Sequence, residues 1–343
     1  ARHALGRWSD TPFDERVRVT ERFASLLEVH RDAIAEAISR EVGKPLWESR
    51  GEVGAMIAKV AISVQAYRER CAPTSRDLGD ATGWTRYKPQ GVAAVFGPFN
   101  FPGHVPNGHI VPALLAGNTV VFKPSERAPL VAQRTVELWR DAGVPDGVIN
   151  LVQGGRDTGI ALANDDGIDA LYFTGGTRAG LALRRALADR PNVILALELG
   201  GNNPLVVHDV ADLDAAALLI VQSAYLTAGQ RCTCARRLIV PRGDAGDRLI
   251  ERLIAWIGRV RVDRYDAEPP PMFGPVIDDE AGQAVLDHQG AWRSRGGEVL
   301  VACEAIGDRA AMLRPGLIDV TAIDDREDEE VFGPLLQLIR VDG

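Results

Sequence analysis

Residues 170–189 read ALYFTGGTRAGLALRRALAD, an apolar run followed by a glycine-rich turn and a stretch of helical periodicity. Ala170–Phe173 predicts a strand, and residues 178–189 predict a helix. The same order of strand and helix recurs on both sides of this segment, which predicts βαβ units, a mainly parallel sheet and an α/β fold. The other predicted strands are Val92–Phe96, Thr119–Lys123, Val148–Val152 and Val193–Leu197.

Helical patterns lie on both sides of this alternating region. Residues 13–41 and 48–70 each predict one helix, and residues 76–89 predict a loop with at most a short strand. After the glycine pair at 200–201 a long apolar helix is predicted over residues 212–228. We therefore place a domain boundary near residue 200, which gives two predicted domains, residues 1–199 and 200–343.

The composition excludes several classes of protein. Hydrophobic residues make up 46% and charged residues 25%, as in an average globular protein. The net charge of −8 without a basic stripe argues against a nucleic-acid partner. No apolar run approaches the ~18 residues that suggest a membrane span, and the start of the chain lacks a signal-peptide pattern. We expect a cytoplasmic protein whose four cysteines are thiols.

A candidate nucleophile lies in the sequence G-Q-R-C-T-C over residues 229–234. A cysteine where a long helix meets a loop, beside the cation Arg231, suits a reactive thiolate, which makes Cys232 the candidate. A buried structural cysteine is the alternative. A zinc site is the other alternative, but Cys-x-Cys supplies only two ligands and no nearby pair completes a tetrahedral set. We predict no metal site.

Two further polar residues follow predicted strands. Glu198 ends the apolar run before the Gly-Gly pair, where ligands bind in open α/β sheets, and suits a general base. Its alternative role is to cap the amides of the glycine turn. Asn100 lies between Pro98 and Pro102, so its amide is rigidly held and could donate to an oxyanion. The alternative there is a plain proline-rich turn.

Two more motifs suit a nucleotide. The turn F-T-G-G-T-R-A-G over residues 173–180 offers backbone amides and a helix N-terminus to a pyrophosphate, although a plain β–α turn would look the same. Lys123 and Glu126 follow another strand and could bind ribose hydroxyls. Glu126 would then accept from a 2′-hydroxyl and repel a 2′-phosphate, which favours NAD over NADP. A surface ion pair is the alternative.

The order of these motifs, completed by E-E-V-F-G-P over residues 329–334, resembles the NAD(P)-dependent aldehyde dehydrogenase superfamily across essentially the whole chain. The resemblance implies a Rossmann-type NAD-binding domain and an α/β catalytic domain. It implies that Cys232 is the catalytic thiol, with Cys234 a bystander, Glu198 the general base and Asn100 the oxyanion donor. The residues that it assigns to the cofactor are Lys123, Glu126, Gly175, Gly176, Thr177, Arg178, Ala179, Gly180, Glu330 and Phe332.

Three blocks make the resemblance more specific. They read G-H-V-P-N-G-H-I over 103–110, G-G-N-N-P over 200–204 and G-Q-R-C-T-C-A-R-R over 229–237. Together they resemble the branch that oxidises N-succinylglutamate 5-semialdehyde in arginine catabolism. An acidic semialdehyde needs cationic or amide donors, and the candidates are Arg231, His104 and Asn107. Arg231 could instead form a salt bridge that fixes its loop.

Other activities of the same superfamily stay open. The substrate could be another acidic semialdehyde, such as succinic or glutamic semialdehyde, or CoA could take the acyl group, although Glu198 in the base position argues against CoA. A catalytically inactive NAD-binding or structural member is a further alternative. The resemblance also implies that this is an internal portion of the enzyme, without its first strands and the end of its catalytic domain, and that the full-length protein is a homo-oligomer.

Overall fold

The computed structural model describes residues 1–342, which form two compact units. The first unit comprises residues 1–41 and 49–199, and the second comprises residues 42–48 and the chain from Gly200 onward. The main division thus falls between Leu199 and Gly200. Nothing in the sequence pattern indicated that residues 42–48 belong with the second unit.

Helices precede and surround the sheet of the first unit. The helices up to residue 199 are α1 (Arg2–Asp10), α2 (Phe13–Val29), α3 (Arg31–Val42), α4 (Leu46–Arg70), α5 (His104–Leu115), α6 (Pro129–Asp141), α7 (Arg156–Asn164) and α8 (Thr177–Ala186). The single helix predicted over residues 13–41 is wrong, because the backbone turns out of the helix at His30. Helix α5 tolerates Pro106 because this residue lies in its first turn.

The strands of the first unit are β1 (Thr74–Asp77), β2 (Thr82–Thr85), β3 (Val92–Phe96), β4 (Thr119–Lys123), β5 (Ile149–Leu151), β6 (Ala170–Gly175) and β7 (Ile194–Leu199). Strands β1 and β2 form a separate hairpin. The other five form a parallel sheet in the order β5-β4-β3-β6-β7 within the described residues. Every residue of the central strand β3 is buried, as its uninterrupted apolar sequence requires. The predicted parallel α/β sheet is confirmed.

The strand order creates a switch point beside the central strand. The chain runs outward from β3 through β4 to β5, then returns to the other side of β3 for β6 and β7. Ligands of such sheets bind outside the carboxyl ends of the strands at this point. That edge carries Lys123 at the end of β4, Gly175 at the end of β6 and Glu198 near the end of β7. Asn100 lies in the turn that follows β3.

The second unit is built on a mixed sheet. Its strands are β8 (Asn203–Val206), β9 (Ala235–Pro241), β10 (Glu298–Val301), β11 (Ala305–Ile306), β12 (Arg309–Leu313), β13 (Gly316–Asp319) and β14 (Leu335–Val341). Its helices are α9 (Leu213–Tyr225), α10 (Asp244–Ile257) and α11 (Asp279–Ser294). The main sheet has the order β10-β13-β14-β9-β8, with β10 antiparallel to β13, and β11 pairs with β12. The apolar core lies around Leu238 and Leu338, both fully buried.

The helix predicted over residues 212–228 ends early. It stops at Tyr225, and the next turn, Leu226–Gly229, has a left-handed backbone at Thr227 (φ +59°), Ala228 (φ +54°) and Gly229 (φ +71°). The apolar pattern continues through this turn, which explains why the prediction is wrong. Non-glycine residues adopt this conformation only where their surroundings hold them there.

Two kinds of feature are absent from the described residues. Within residues 1–342 no helix combines the length and the apolar character that crossing a membrane requires. In the same part of the chain, no three His, Cys, Asp or Glu side chains converge in a way that could hold a metal ion.

A glycine at the start of the central strand tests the account of the sheet. Gly91 has a φ of +136°, and a Cβ there would lie 1.9 Å from Oδ2 of Asp169, which accepts a hydrogen bond from the Val92 amide at 2.7 Å. We expect Gly91→Ala to lower the free energy of unfolding by about 2–3 kcal/mol, from backbone strain and a lost hydrogen bond. Urea denaturation measures this change.

The matched control is Gly51→Ala in α4. Apart from its chain neighbours and the backbone of its own helix, no atom lies within 4 Å of the added methyl group, and this helical glycine is exposed. We expect the substitution to raise the free energy of unfolding by about 0.5–1 kcal/mol. Equal effects of the two substitutions would contradict the role given to Gly91.

Candidate active site

Asn100 lies in a rigid turn between β3 and α5. The residue is 8% exposed. The turn begins at Gly97, where a Cβ would lie 2.7 Å from Pro106. It ends where Oε1 of the buried Glu52 accepts hydrogen bonds from the amides of Gly103 (2.9 Å) and His104 (3.0 Å). A carboxylate at a helix N-terminus is stabilising, so Glu52 fixes the start of α5 and the turn before it.

Glu198 lies on the neighbouring half of the same sheet edge. It is paired in register with Thr174 of β6, and the glycine-rich turn follows that strand directly. Its side chain is exposed. The carboxylate can therefore meet water or a ligand at the end of the sheet, as a general base must.

A histidine that we did not assign to the site lies close to this carboxylate. The ring of His109, in α5, stacks on that of Tyr172 in β6, with 5.4 Å between the ring centroids. Burial lowers the pKa of the His109 imidazole, the charge of Glu198 acts in the opposite direction, and Lys59 lowers it further. His109 is part of the block over residues 103–110, but a sequence pattern does not show which charge a side chain faces.

Lys123 and Glu126 form the next part of the edge. Nζ of the buried Lys123 donates to the carbonyl oxygens of Pro124 (2.6 Å) and Gly154 (2.7 Å). Its distance to Oε2 of Glu126 is 3.9 Å, and the Glu126 side chain is 58% exposed. Burial lowers the pKa of Lys123, while Glu126 acts in the opposite direction. Glu126 is exposed but Lys123 is buried, so the alternative of a surface ion pair does not describe Lys123.

The glycine-rich turn joins β6 to α8. Gly175 is the last residue of β6, Gly176 is the N-cap of α8, and no side chain caps the helix. The exposed first turn contains Thr177, Arg178 and Ala179. A Cβ on the buried Gly180 would lie 2.5 Å from Leu199, so this glycine allows α8 to pack on β7. An uncapped helix N-terminus suits the pyrophosphate of a dinucleotide.

In the second unit, Cys232 is an exposed thiol on a firmly held loop. Nδ2 of Asn203 donates to the carbonyl oxygens of Cys232 (2.7 Å) and Cys234 (2.9 Å). Cys232 is exposed, whereas Cys234 and Cys303 are buried. Burial raises the pKa of the Cys234 thiol and raises that of Cys303 to about 12. The Cys232 thiol is therefore accessible to a substrate, whereas the neighbouring Cys234 thiol is not.

A buried carboxylate stabilises the left-handed turn that precedes this cysteine. Oε1 of Glu48, whose side chain is 4% exposed, accepts hydrogen bonds from the hydroxyl of Thr227 and from Nη2 of Arg231 (2.6 Å). Nε of Arg231 also donates to the Thr227 hydroxyl at 2.7 Å. These contacts favour the loop-fixing salt bridge as the role of Arg231, and its substrate role stays a prediction. The sequence pattern does not indicate that Glu48 binds Thr227 and Arg231.

Arg236 approaches the same loop from within the unit. Its side chain is 1% exposed. Nη1 donates to the carbonyl of Gly229 (2.5 Å), and Nη2 donates to the carbonyl of Arg231 (2.9 Å) and to Oε1 of Glu330 (3.2 Å). Its guanidinium also lies 5.3 Å from the ring centroid of Phe332. Glu330 and Phe332 are thereby joined to the Cys232 loop. Arg236 and Arg237 end the G-Q-R-C-T-C-A-R-R motif over residues 229–237, but the sequence pattern predicts no role for them.

The two remaining substrate candidates lie in α5. His104 is its first residue and is half-buried. Asn107 is fully buried, and its Nδ2 donates to the carbonyl of Met56 in α4 at 3.3 Å. This placement favours a packing role for Asn107.

Comparison with known proteins gives a consistent result. The model of the aldehyde dehydrogenase family matches residues 1–343. The N-succinylglutamate 5-semialdehyde dehydrogenase of Ectopseudomonas mendocina (strain ymp) is 55% identical over 340 residues, which is 99% of this chain and 70% of that protein. The protein of the same name from Pseudomonas fluorescens (strain Pf0-1) is 54% identical with the same coverage.

Solved structures agree on the fold. The methylmalonate-semialdehyde dehydrogenase from Oceanimonas doudoroffii has a TM-score of 0.94 and 30% identity, over 100% of this chain and 71% of that one. An NAD-dependent aldehyde dehydrogenase from Sinorhizobium meliloti has a TM-score of 0.94 and 33% identity, over 100% of this chain and 69% of that one. The fold and the resemblance predicted from the sequence are confirmed.

Thiol alkylation tests the assignment of Cys232. In a Cys71→Ser background we expect iodoacetamide to label Cys232 at least about 100-fold faster than Cys303 at pH 7–9, because the thiolate reacts and the thiol does not. With its pKa raised to about 12, Cys303 stays almost fully protonated in this range, and its labelling rises with each pH unit. Peptide mass spectrometry measures each rate. Labelling of Cys234 or Cys303 as fast as that of Cys232 would contradict the assignment.

Proposed function

The chain belongs to the aldehyde dehydrogenase family, and from this premise we propose that it oxidises N-succinyl-L-glutamate 5-semialdehyde to N-succinyl-L-glutamate with NAD. This is a step of arginine catabolism by the succinyltransferase pathway. The observation that carries the substrate assignment is sequence identity. Two N-succinylglutamate 5-semialdehyde dehydrogenases are 55% and 54% identical to this chain over 340 residues. The cytoplasmic location and the homo-oligomer stay predictions.

The reaction begins at Cys232. Its thiolate attacks the aldehyde carbon, a C–S bond forms, and the carbonyl oxygen becomes the oxyanion of a thiohemiacetal. The Asn100 amide and the Cys232 backbone amide donate to this oxyanion, and one such donor contributes about 3–4 kcal/mol to the transition state. The exposed thiol and the rigid turn around Asn100 support these roles.

The second half of the reaction removes the acyl group. Bound NAD would supply the hydride acceptor, and loss of the hydride from the thiohemiacetal would leave a thioester on Cys232. Glu198 takes a proton from a water molecule, the hydroxide attacks the thioester, and the C–S bond breaks to release the carboxylate product. The exposed position of Glu198 supports its role as this base.

We assign the parts of the cofactor to three groups of residues. Lys123 and Glu126 bind the adenosine ribose, and the α8 turn over residues 175–180 binds the pyrophosphate. Glu330 and Phe332 bind the nicotinamide ribose and ring. The exposed carboxylate of Glu126 supports NAD over NADP, because it would repel a 2′-phosphate.

Steady-state kinetics of the full protein test the substrate. NADH formation is followed with N-succinylglutamate semialdehyde, succinic semialdehyde, glutamic semialdehyde and a neutral aldehyde, each with and without CoA. We expect a kcat/KM preference of about 100-fold or more for the succinylated substrate, equivalent to ~2.7 kcal/mol, and no dependence on CoA. A flat profile would overturn the substrate and leave the family assignment intact. A requirement for CoA would overturn hydrolysis by Glu198.

The cofactor preference is tested by Glu126→Gln. Removal of the charge ends the repulsion of a 2′-phosphate, so the ratio of kcat/KM for NAD to that for NADP is expected to fall about tenfold or more. The matched control is Asp146→Asn, an exposed carboxylate just before β5 at the opposite edge of the sheet. An unchanged ratio in Glu126→Gln, or an equal fall in the control, would contradict the role of Glu126.

A further inference from the structure

Arg236 is a buried cation that the reaction scheme above does not use. A buried charge is costly unless it is paired and hydrogen-bonded, so its contacts must offset its desolvation. The guanidinium fork joins three acceptors at once, which are the carbonyls of Gly229 and Arg231 and the carboxylate of Glu330. A lysine ammonium lacks this planar fork and cannot reproduce the same set of directions.

The acceptors of Arg236 lie on two segments that are far apart in sequence. Two of them belong to the loop that carries Cys232. The third, Glu330, belongs to the segment over residues 330–333, and the guanidinium also lies over the ring of Phe332 in that segment. The two segments correspond to the two proposed tasks of this unit, nucleophilic attack and binding of the nicotinamide end.

Glycine positions show independently that these segments are closely packed. A Cβ on Gly229 would lie 2.2 Å from the carbonyl oxygen of Gly333, and Gly229 already has a φ of +71°. A Cβ on Gly200 would lie 1.7 Å from Oε2 of Glu330. The Glu330 carboxylate is therefore confined between Gly200 and Arg236, and a shift of Glu330 has to be transmitted to the guanidinium.

We propose that Arg236 is a positioning residue that couples the arrangement of Glu330 and Phe332 to that of the Cys232 loop. Cofactor that engages Glu330 then changes the reactivity of Cys232 through the guanidinium. The coupling rests on the proposed function only in that Glu330 and Phe332 bind the nicotinamide end. Because it is a property of binding, it exists without any aldehyde.

The test measures alkylation of Cys232 by iodoacetamide, without substrate, in the presence and absence of saturating NAD. In the wild-type protein we expect NAD to change the rate by about fivefold or more, a typical size for coupling between sites. In Arg236→Met and in Glu330→Gln this ratio is expected to approach one. NAD is titrated separately for each variant, so that every ratio is taken at saturation.

The variants separate positioning from simple stabilisation. Arg236→Met removes the donors to the loop carbonyls and is expected to change the rate without NAD as well. Glu330→Gln leaves those donors in place but removes the carboxylate partner of Arg236, so its rate without NAD is expected to change less than that of Arg236→Met. Arg236→Lys keeps the positive charge but lacks the planar guanidinium, so its ratio of rates with and without NAD is expected to stay close to that of Arg236→Met. Arg242→Met, at an exposed arginine just after β9, is the matched control. Its rate without NAD and its ratio of rates with and without NAD are both expected to equal those of the wild type.

Several outcomes would overturn the proposal. One is a wild-type ratio of one with NAD bound. Another is a folded Arg236→Met protein that keeps the wild-type ratio and differs only in its melting temperature, since Arg236 would then be merely structural. If Arg236→Met does not fold, a wild-type ratio in Glu330→Gln overturns the coupling. A wrong substrate leaves this experiment unaffected, whereas failure of NAD to bind the wild-type protein would be recorded in the titration and would overturn both proposals.

Discussion

The buried guanidinium of Arg236 is the interaction on which the architecture around Cys232 depends. The turn before this cysteine places Thr227 and Ala228 in the left-handed region, which costs about 1–3 kcal/mol for each non-glycine residue. Hydrogen bonds from the Thr227 hydroxyl to Glu48 and from Arg236 to the Gly229 carbonyl offset that cost. The thiol is thereby exposed while its backbone is fixed, and both are conditions for a defined direction of attack.

The first unit achieves rigidity by different means. Its five-stranded sheet, counted over the described residues, collects side chains from distant parts of the sequence at one edge, because parallel strands all end on the same side. Asn100 follows β3, Lys123 is the last residue of β4 and Glu198 lies near the end of β7. Each is held locally, Lys123 by two carbonyls and the Asn100 turn by the Glu52 carboxylate. Precision at this edge comes from the sheet and from short local contacts rather than from a buried ionic network.

The sequence was sufficient where local pattern and tertiary environment agree. Val92–Phe96 and Thr119–Lys123 were predicted with the bounds that the structure has, because strands buried on both faces are continuous apolar runs. The helix over 212–228 was wrong at its end, since the turn there is stabilised by Glu48, 179 residues away from Thr227. For the same reason the pairing of Arg236 with Glu330, 94 residues away, could not be predicted. The motifs indicated which residues are chemically suited to catalysis and cofactor binding. Only the tertiary contacts show which residues fix the loop that carries Cys232.

Trapping the acyl group on the protein tests the central claim most directly. Glu198→Gln cannot take a proton from water, so the thioester formed with N-succinylglutamate semialdehyde and NAD should persist. Peptide mass spectrometry of this variant should then find the N-succinylglutamyl group on Cys232, whereas the unsubstituted protein should turn over and carry little of it. An unmodified Cys232 after incubation of the variant with both compounds, or the same group on another residue, would contradict the account.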